Sequence, residues 1–256
     1  MSCGGGRVVK GQVDDNIQTD FEIEMIGKDL VELEDLLYSK ITVKAKYEIL
    51  ETIRFKLEEV YNQDKEEYNE IFSHLREQTR EALDDAWKLW NPPPNDGARG
   101  HWIGDDKMTY MLSESNPYYE DCRAINFTQC TYDKHGAPDF SKVTFPGSVV
   151  DISAMYDKYN ADMLSKRGGG GNIQDEAQEL MSRNLEPVVR AWWRDNRLGE
   201  AYNLYDAFFA WRDSLDLVPH EDTNCTTMRL VSRSAHKAFT HRGGIANAVN
   251  IKIHFR

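Results

Sequence analysis

The chain predicts an α+β protein: an N-terminal helical hairpin or small bundle, then a C-terminal α+β domain that ends in a β-hairpin followed by a helix. Three observations in the 256-residue sequence carry this expectation. Between Phe21 and Trp90 apolar residues recur at helical spacing, with no proline among them. Asn91-Pro92-Pro93-Pro94-Asn95-Asp96-Gly97 then removes backbone donors and fixes an extended path. Beyond it, short aromatic and β-branched stretches separated by turn formers give way to a second helical region. The expected partition is a helical module over 17–91, a proline-rich linker over 92–98, and a second domain over 99–256.

Residues 1–16 are Gly-rich and polar. Within the helical module Ile49, Ile53, Leu57 and Val60 form one stripe, and Ile71, Leu75 and Leu83 extend similar spacing. Two or three amphipathic helices follow, with a break between Tyr38 and Thr42, where Ser39 and β-branched residues weaken helix propensity. The stripe reads as internal core rather than a partner-binding face. Past the linker, Trp102-Ile103-Gly104, Ala124-Ile125-Asn126-Phe127 and Tyr132-Asp133-Lys134-His135-Gly136 read as short strands with tight turns. Asp151 to Lys166 looks helical, with Asp151 or Ser153 as N-cap. The run Gly168 to Gly171 lacks the Lys-Ser/Thr of a phosphate-binding loop and follows no apolar strand, so it reads as a flexible loop. Ile173 to Leu215 is helical again, and Trp192, Trp193, Phe208, Phe209 and Trp211 are assigned to core.

Charge narrows the function classes. The chain carries a formal −12, unevenly spread: residues 1–95 hold 21 acids and 12 bases, whereas residues 171–256 hold 11 of each. The last 34 residues, Thr223 to Arg256, contain six Lys/Arg and no acid. An acidic protein is a poor general nucleic-acid binder, so any such contact belongs at the C-terminal end. Cys3, Cys122, Cys130 and Cys225 show no C-x-x-C pair, which fits reduced thiols in a cytosol-made protein. No stretch approaches the ~18 apolar residues of a membrane span, and no apolar signal region follows Met1. Export would require a dedicated secretion machine.

The basic segment holds the residues with chemistry. Leu215 to His220 reads as a strand, followed by a polar turn, a short strand Met228 to Val231 and a helix opening at Ser232 or Ser234. His236 and His241 lie five apart and converge if His241 sits at the helix end, before a Gly243-Gly244 terminator. Imidazoles beside positive charge are what metal-assisted hydrolysis of a phosphodiester requires. Any one histidine alone would be read as core or surface. His74, His101, His135 and His254 are read that way.

This arrangement resembles the HNH/endonuclease VII (ββα-metal) nucleases. It is similar to the polymorphic-toxin branch in Pro219-His220-Glu221, Thr227-Met228-Arg229-Leu230-Val231, Ala235-His236 and His241-Arg242-Gly243-Gly244. Upstream, Arg99-Gly100-His101-Trp102-Ile103-Gly104-Asp105 looks like the family's Arg-Gly-x-Trp-x-Gly-Glu, and Gly136-Ala137-Pro138-Asp139-Phe140-Ser141 like its Gly-x-Pro-Asp-Phe-Ser. Pro219 stands where tryptophan is usual, Asn224 where an acid is common, and Asp105 for a glutamate. The resemblance covers about 99–245 and implies a ββα-metal motif in a metal-dependent endonuclease, acting on DNA without sequence readout.

Under that resemblance His220 would be the general base, with Glu221 beside it as a catalytic or orienting acid. His236 and His241 would hold one divalent ion (Mg, Mn, Zn or Ni), with Asp105 or Glu221 as a further ligand. Thr227 falls where relatives place the asparagine that pins the hairpin turn. Arg229, Arg233, Lys237 and Arg242 would engage phosphates. Asp139 reads equally as a turn cap or a catalytic group. The expected setting is an antibacterial toxin, made in the cytoplasm, delivered by a secretion system and neutralised by a cognate immunity protein, with residues 17–91 meeting a secretion adaptor or chaperone. Two other readings stay open: a non-catalytic HNH-fold binding protein, and an interaction protein working through its acidic helices, its histidines holding structural zinc.

Overall fold

The computed structural model describes residues 30–63, 65–89, 96–104, 108–133, 136–161, 169–197, 200–222, 224–239 and 244–255. Leu30–Leu37 (α1) and Val43–Gln63 (α2) pack together across the expected break. The Ser39 hydroxyl donates to the Leu36 carbonyl at 2.7 Å, and the Thr42 hydroxyl accepts from the Ala45 N–H at 3.2 Å, so polar side chains close one helix and open the next. Lys65–His74 (α3) and Glu77–Leu89 (α4) follow, giving more helices in this region than the periodicity implied. Ile49, Ile53, Leu57 and Leu83 are fully buried, as core residues should be, whereas Val60 and Ile71 are half-buried.

This core crosses the proline-rich boundary. Gly244–His254 (α11) lies against α2 and α4. The Asn250 amide donates to the Ala82 carbonyl at 3.0 Å, and His254 Nε2 lies 3.1 Å from the Asp85 carboxylate. One continuous cluster of buried side chains therefore runs from Leu33 to Phe255. Gly244 opens a helix here and does not terminate one, a correction to the sequence expectation.

A second, smaller core lies under an antiparallel sheet of Gly100–Ile103 (β1), Thr109–Leu112 (β2) and Gln129–Thr131 (β3), in that order. Trp102 packs edge-on against Tyr110 and Tyr132, with ring centres 5.2 and 5.3 Å away. A side chain at Gly100 would collide with the Met111 carbonyl and the Tyr110 ring, which explains the glycine of the Arg99-Gly100-His101-Trp102 run. The expected strand at Ala124 is instead the end of a helix, Tyr119–Ala124 (α5). Asn126 turns the chain at φ 55°, and Phe127 enters the core.

Three further strands, Val150–Asp151 (β4), Leu217–Glu221 (β5) and Thr227–Ser232 (β6), form a second antiparallel sheet in the order β4-β6-β5. Asp151 accepts from the Ser153 N–H at 2.8 Å just before Ser153–Lys158 (α6). That helix ends at Lys158, because Tyr159 is extended, and the remainder of the expected span from 162 to 166 lies outside the described residues. Gly169–Asn184 (α7) takes in most of the glycine run, overturning the loop expectation for Gly169, Gly170 and Gly171. Glu186–Asn196 (α8) and Leu204–Ser214 (α9) complete the helical stretch, with Phe208 and Trp211 buried as expected. Arg233–Ala238 (α10) follows β6 directly. Cys122, Cys130 and Cys225 are buried free thiols, and burial pushes Cys122 up to about 11 and Cys130 to about 12. Among the described residues no helix is long and apolar enough to cross a membrane.

Candidate functional site

The hairpin β5–β6 and helix α10 form the β-hairpin and helix expected from the sequence. Pro219 is accommodated because β5 is an edge strand, with only β6 beside it, where a missing N–H is tolerated. The Ser232 hydroxyl caps α10 by accepting from Ala235 N–H at 3.5 Å. Ser234 donates to Asp121 at 3.1 Å and ties α10 to α5.

Strand alternation sends neighbouring residues of β5 to different cores. Leu217 belongs to the large helical core, and Val218 packs on the small aromatic one. Two residues on, His220 follows Val218. It is 4 % exposed, with its ring edge-on to Phe140 at 4.8 Å and 5.5 Å from the His236 ring. Phe140 in turn stacks on His236 at 6.1 Å, so the aromatic of the Pro138-Asp139-Phe140-Ser141 run backs both imidazoles. Glu221 follows Leu217 to the opposite face. Its carboxylate is buried and accepts from the Tyr156 hydroxyl at 3.2 Å. The sequence expectation that Glu221 stands beside His220 is corrected by this alternation.

Asp222 takes that place. Its Oδ1 lies 3.5 Å from His220 Nε2, while Oδ2 accepts from the Thr227 hydroxyl and from the Arg229 guanidinium. Burial works against its charged form, but hydrogen bonds from His220, Thr227 and Arg229 together outweigh that and hold the carboxyl below its ordinary value. Thr227 thereby joins the two ends of the hairpin turn, with Asp222 N–H donating to the Thr227 carbonyl at 3.0 Å. The role of Asp222 was readable from the strand period, since residues 220 and 222 share a face.

The basic residues divide. Arg229 is half-buried and pairs with Asp222, so much of its charge is already answered within the protein. Arg233 pairs with Asp216 at 2.7 Å and Asp213 at 3.6 Å. Lys237 is exposed, with its ammonium 5.9 Å from the centre of the Tyr118 ring and no ion pair among the described residues. His241, Arg242 and Asp105 lie outside the described residues. Helix α10 closes at Ala238 with Phe239 extended, so the described helix ends before His241.

His220 and Asp222 form one wall of a cleft of about 390 Å³ whose other sides include Tyr132, Asp133, Pro138 and Asp139. Asp139 accepts from Ser141 N–H at 2.9 Å, so it caps a turn and lines the cleft at once. Three carboxylates and an imidazole attract a cation and repel a bare phosphate. Imidazole and carboxylate oxygen are ordinary donors for a divalent ion. The donor types present thus fit a metal, although among the described residues alone no three His, Cys, Asp or Glu side chains gather into a cage. Neither a protein-family model, nor a curated protein, nor a solved structure matches this chain.

Proposed function

We propose that this chain is an HNH-type, metal-dependent endonuclease that hydrolyses DNA phosphodiester bonds and acts as a delivered antibacterial toxin. The observation that supports it most is the β5–β6 hairpin and α10 bringing His220 and His236 to 5.5 Å over one aromatic ring. His236, with His241 and Asp105, would hold a divalent ion, which when bound polarises a phosphoryl oxygen and stabilises the leaving group. His220 accepts the proton of the attacking water, and Asp222 fixes the ring and steadies the imidazolium that results. Buried Phe140 keeps the imidazole from rotating away. Lys237, with Arg233 and Arg242, meets the DNA backbone as positioning charge. A cognate immunity protein and a secretion adaptor complete the proposal.

The acidity of the cleft favours a second reading, a non-catalytic binding protein of the same fold. Plasmid nicking by the purified chain with Mg²⁺, Mn²⁺, Zn²⁺ or Ni²⁺ separates the two. Cleavage is expected with at least one ion, and His220→Ala should lower it by about 10²-fold or more while the chain stays folded by circular dichroism, at a lower Tm because a buried ring is removed. No cleavage with any ion, or full activity in His220→Ala, overturns the enzyme reading.

A further inference from the structure

We propose that the seam between α1–α2 and α11 is a second binding site, for a phosphate monoester carrying an aromatic or apolar body. A cavity of about 790 Å³ opens there, bounded by the α1–α2 turn, the end of α6 and the last turns of α11. It shares no lining residue with the His220 cleft, so the inference does not rest on the nuclease reading.

Lys40, Lys46 and Lys252 line the cavity, and Asp157 is the carboxylate among its lining residues. Three ammonium groups against one carboxylate leave an excess of two positive charges in a protein that is strongly acidic overall. A phosphate monoester carries about −1.5 to −2 at neutral pH, which matches that excess. A singly charged carboxylate would leave half of it unanswered.

Lys46 gives the sharper clue. It is 7 % exposed, yet its ammonium, with three donors, makes one hydrogen bond among the described residues, to the Phe255 carbonyl at 2.7 Å. Asp157 makes no hydrogen bond or ion pair to it among the described residues; that carboxylate accepts from the Val43 N–H at 2.7 Å and reaches both lysines through its charge alone. Lys252 donates to the Asp157 backbone carbonyl at 3.3 Å, so it too has no acid bonded to it. Burial, then the neighbouring Lys252 charge, push Lys46 below the ordinary lysine value and burial does the same to Lys252, with the Asp157 charge offsetting only part of this at each. Two cations that share the charge of one carboxylate, with neither bonded to it, are stabilised by a further anion placed between them.

The remaining wall decides the rest of the ligand. Tyr38 and Phe255 meet edge-on at 5.5 Å, and Ile41, Val43 and Ile251 adjoin them. An aromatic body lying on this wall would leave its phosphate at the lysines. Phenyl phosphate is the smallest probe with both parts, and inorganic phosphate lacks the body.

Titration calorimetry on the full chain at low salt tests this. Phenyl phosphate should bind, raise Tm, and bind about tenfold or more tightly than inorganic phosphate. The double variant Lys40→Gln/Lys252→Gln, which leaves buried Lys46 in place, should weaken it by about tenfold or more, the scale of one lost charged contact. Lys46→Met should abolish binding and raise Tm in the absence of ligand, since it removes a buried charge. The site is overturned if phenyl phosphate gives no heat at millimolar concentration, binds the double variant as tightly as the wild type, or binds no better than inorganic phosphate.

Discussion

The two cores of this protein are assembled by different rules. The larger takes aliphatic stripes from α1, α2 and α4 near one end of the sequence and closes them with α11 from the other. The smaller is aromatic and mostly local, drawing Tyr110, Phe127, Tyr132 and Phe140 from one stretch and adding Val218 and residues from Val231 to Phe239 from far away. The β5–β6 hairpin serves both, with Met228 and Leu230 in the first and Val231 in the second. His220 and His236 pack on Phe140 at the edge of the small core, so the larger core supplies stability at a distance while the aromatic core sets their geometry. That division can be broken experimentally.

The largest effect should come from separating what the large core joins. A chain beginning at residue 97 keeps the whole hairpin and α10 but strips α2 and α4 from α11. It should be insoluble or largely unfolded by circular dichroism. A cooperative thermal transition in that fragment would show that the helical core is dispensable. Phe140→Ala comes next, at about 3–5 kcal/mol for a buried aromatic, measured by urea unfolding. It should also loosen both imidazoles, seen as broadened or shifted histidine ring signals, whereas Leu57→Ala in the other core should cost about 2–5 kcal/mol without moving them.

Two smaller effects sharpen the contrast between the faces of β5. Tyr156→Phe removes the hydroxyl that donates to buried Glu221 and should cost about 1–3 kcal/mol, with His220 signals unchanged. Movement of those signals would mean that the faces are coupled. Asp222, whose carboxyl is held below its ordinary value, contributes stability that is fully present above about pH 4. That contribution is lost as pH falls through its folded value. Asp222→Asn should therefore be less stable near neutrality and lose less on acidification. An acid limb identical to wild type would show that the Asp222 network contributes nothing.

Much of this was legible in the sequence. The break at Ser39, the buried stripe from Ile49 to Leu57 and the hairpin followed by a helix all follow from period, caps and turn formers that agree with one another. Where they conflict, the sequence misleads. Gly169 to Gly171 have the poorest helix propensity short of proline, yet Ile173, Ala177 and Met181 bury one face of the same helix and carry the glycines with them. Ile125 and Phe127 look strand-like, but Cys122 buries a helix turn just before them. The inward side of Glu221 is set by alternation along β5, which separates it from His220 although the two are neighbours in sequence. Helix α11 was invisible for a different reason. Gly244, at its start, belongs to a pair that reads as a stop, and the helix's partners lie far upstream.

That last distance has a consequence for how the protein is made. Asn250 meets Ala82 across 168 positions of sequence. At a synthesis rate of about 5–20 residues per second, the groove that α11 fills stays bare for on the order of ten to thirty seconds. During that interval Leu83 and its neighbours face the ribosome's surroundings, and a chaperone that recognises aliphatic grooves has its opportunity then and not later.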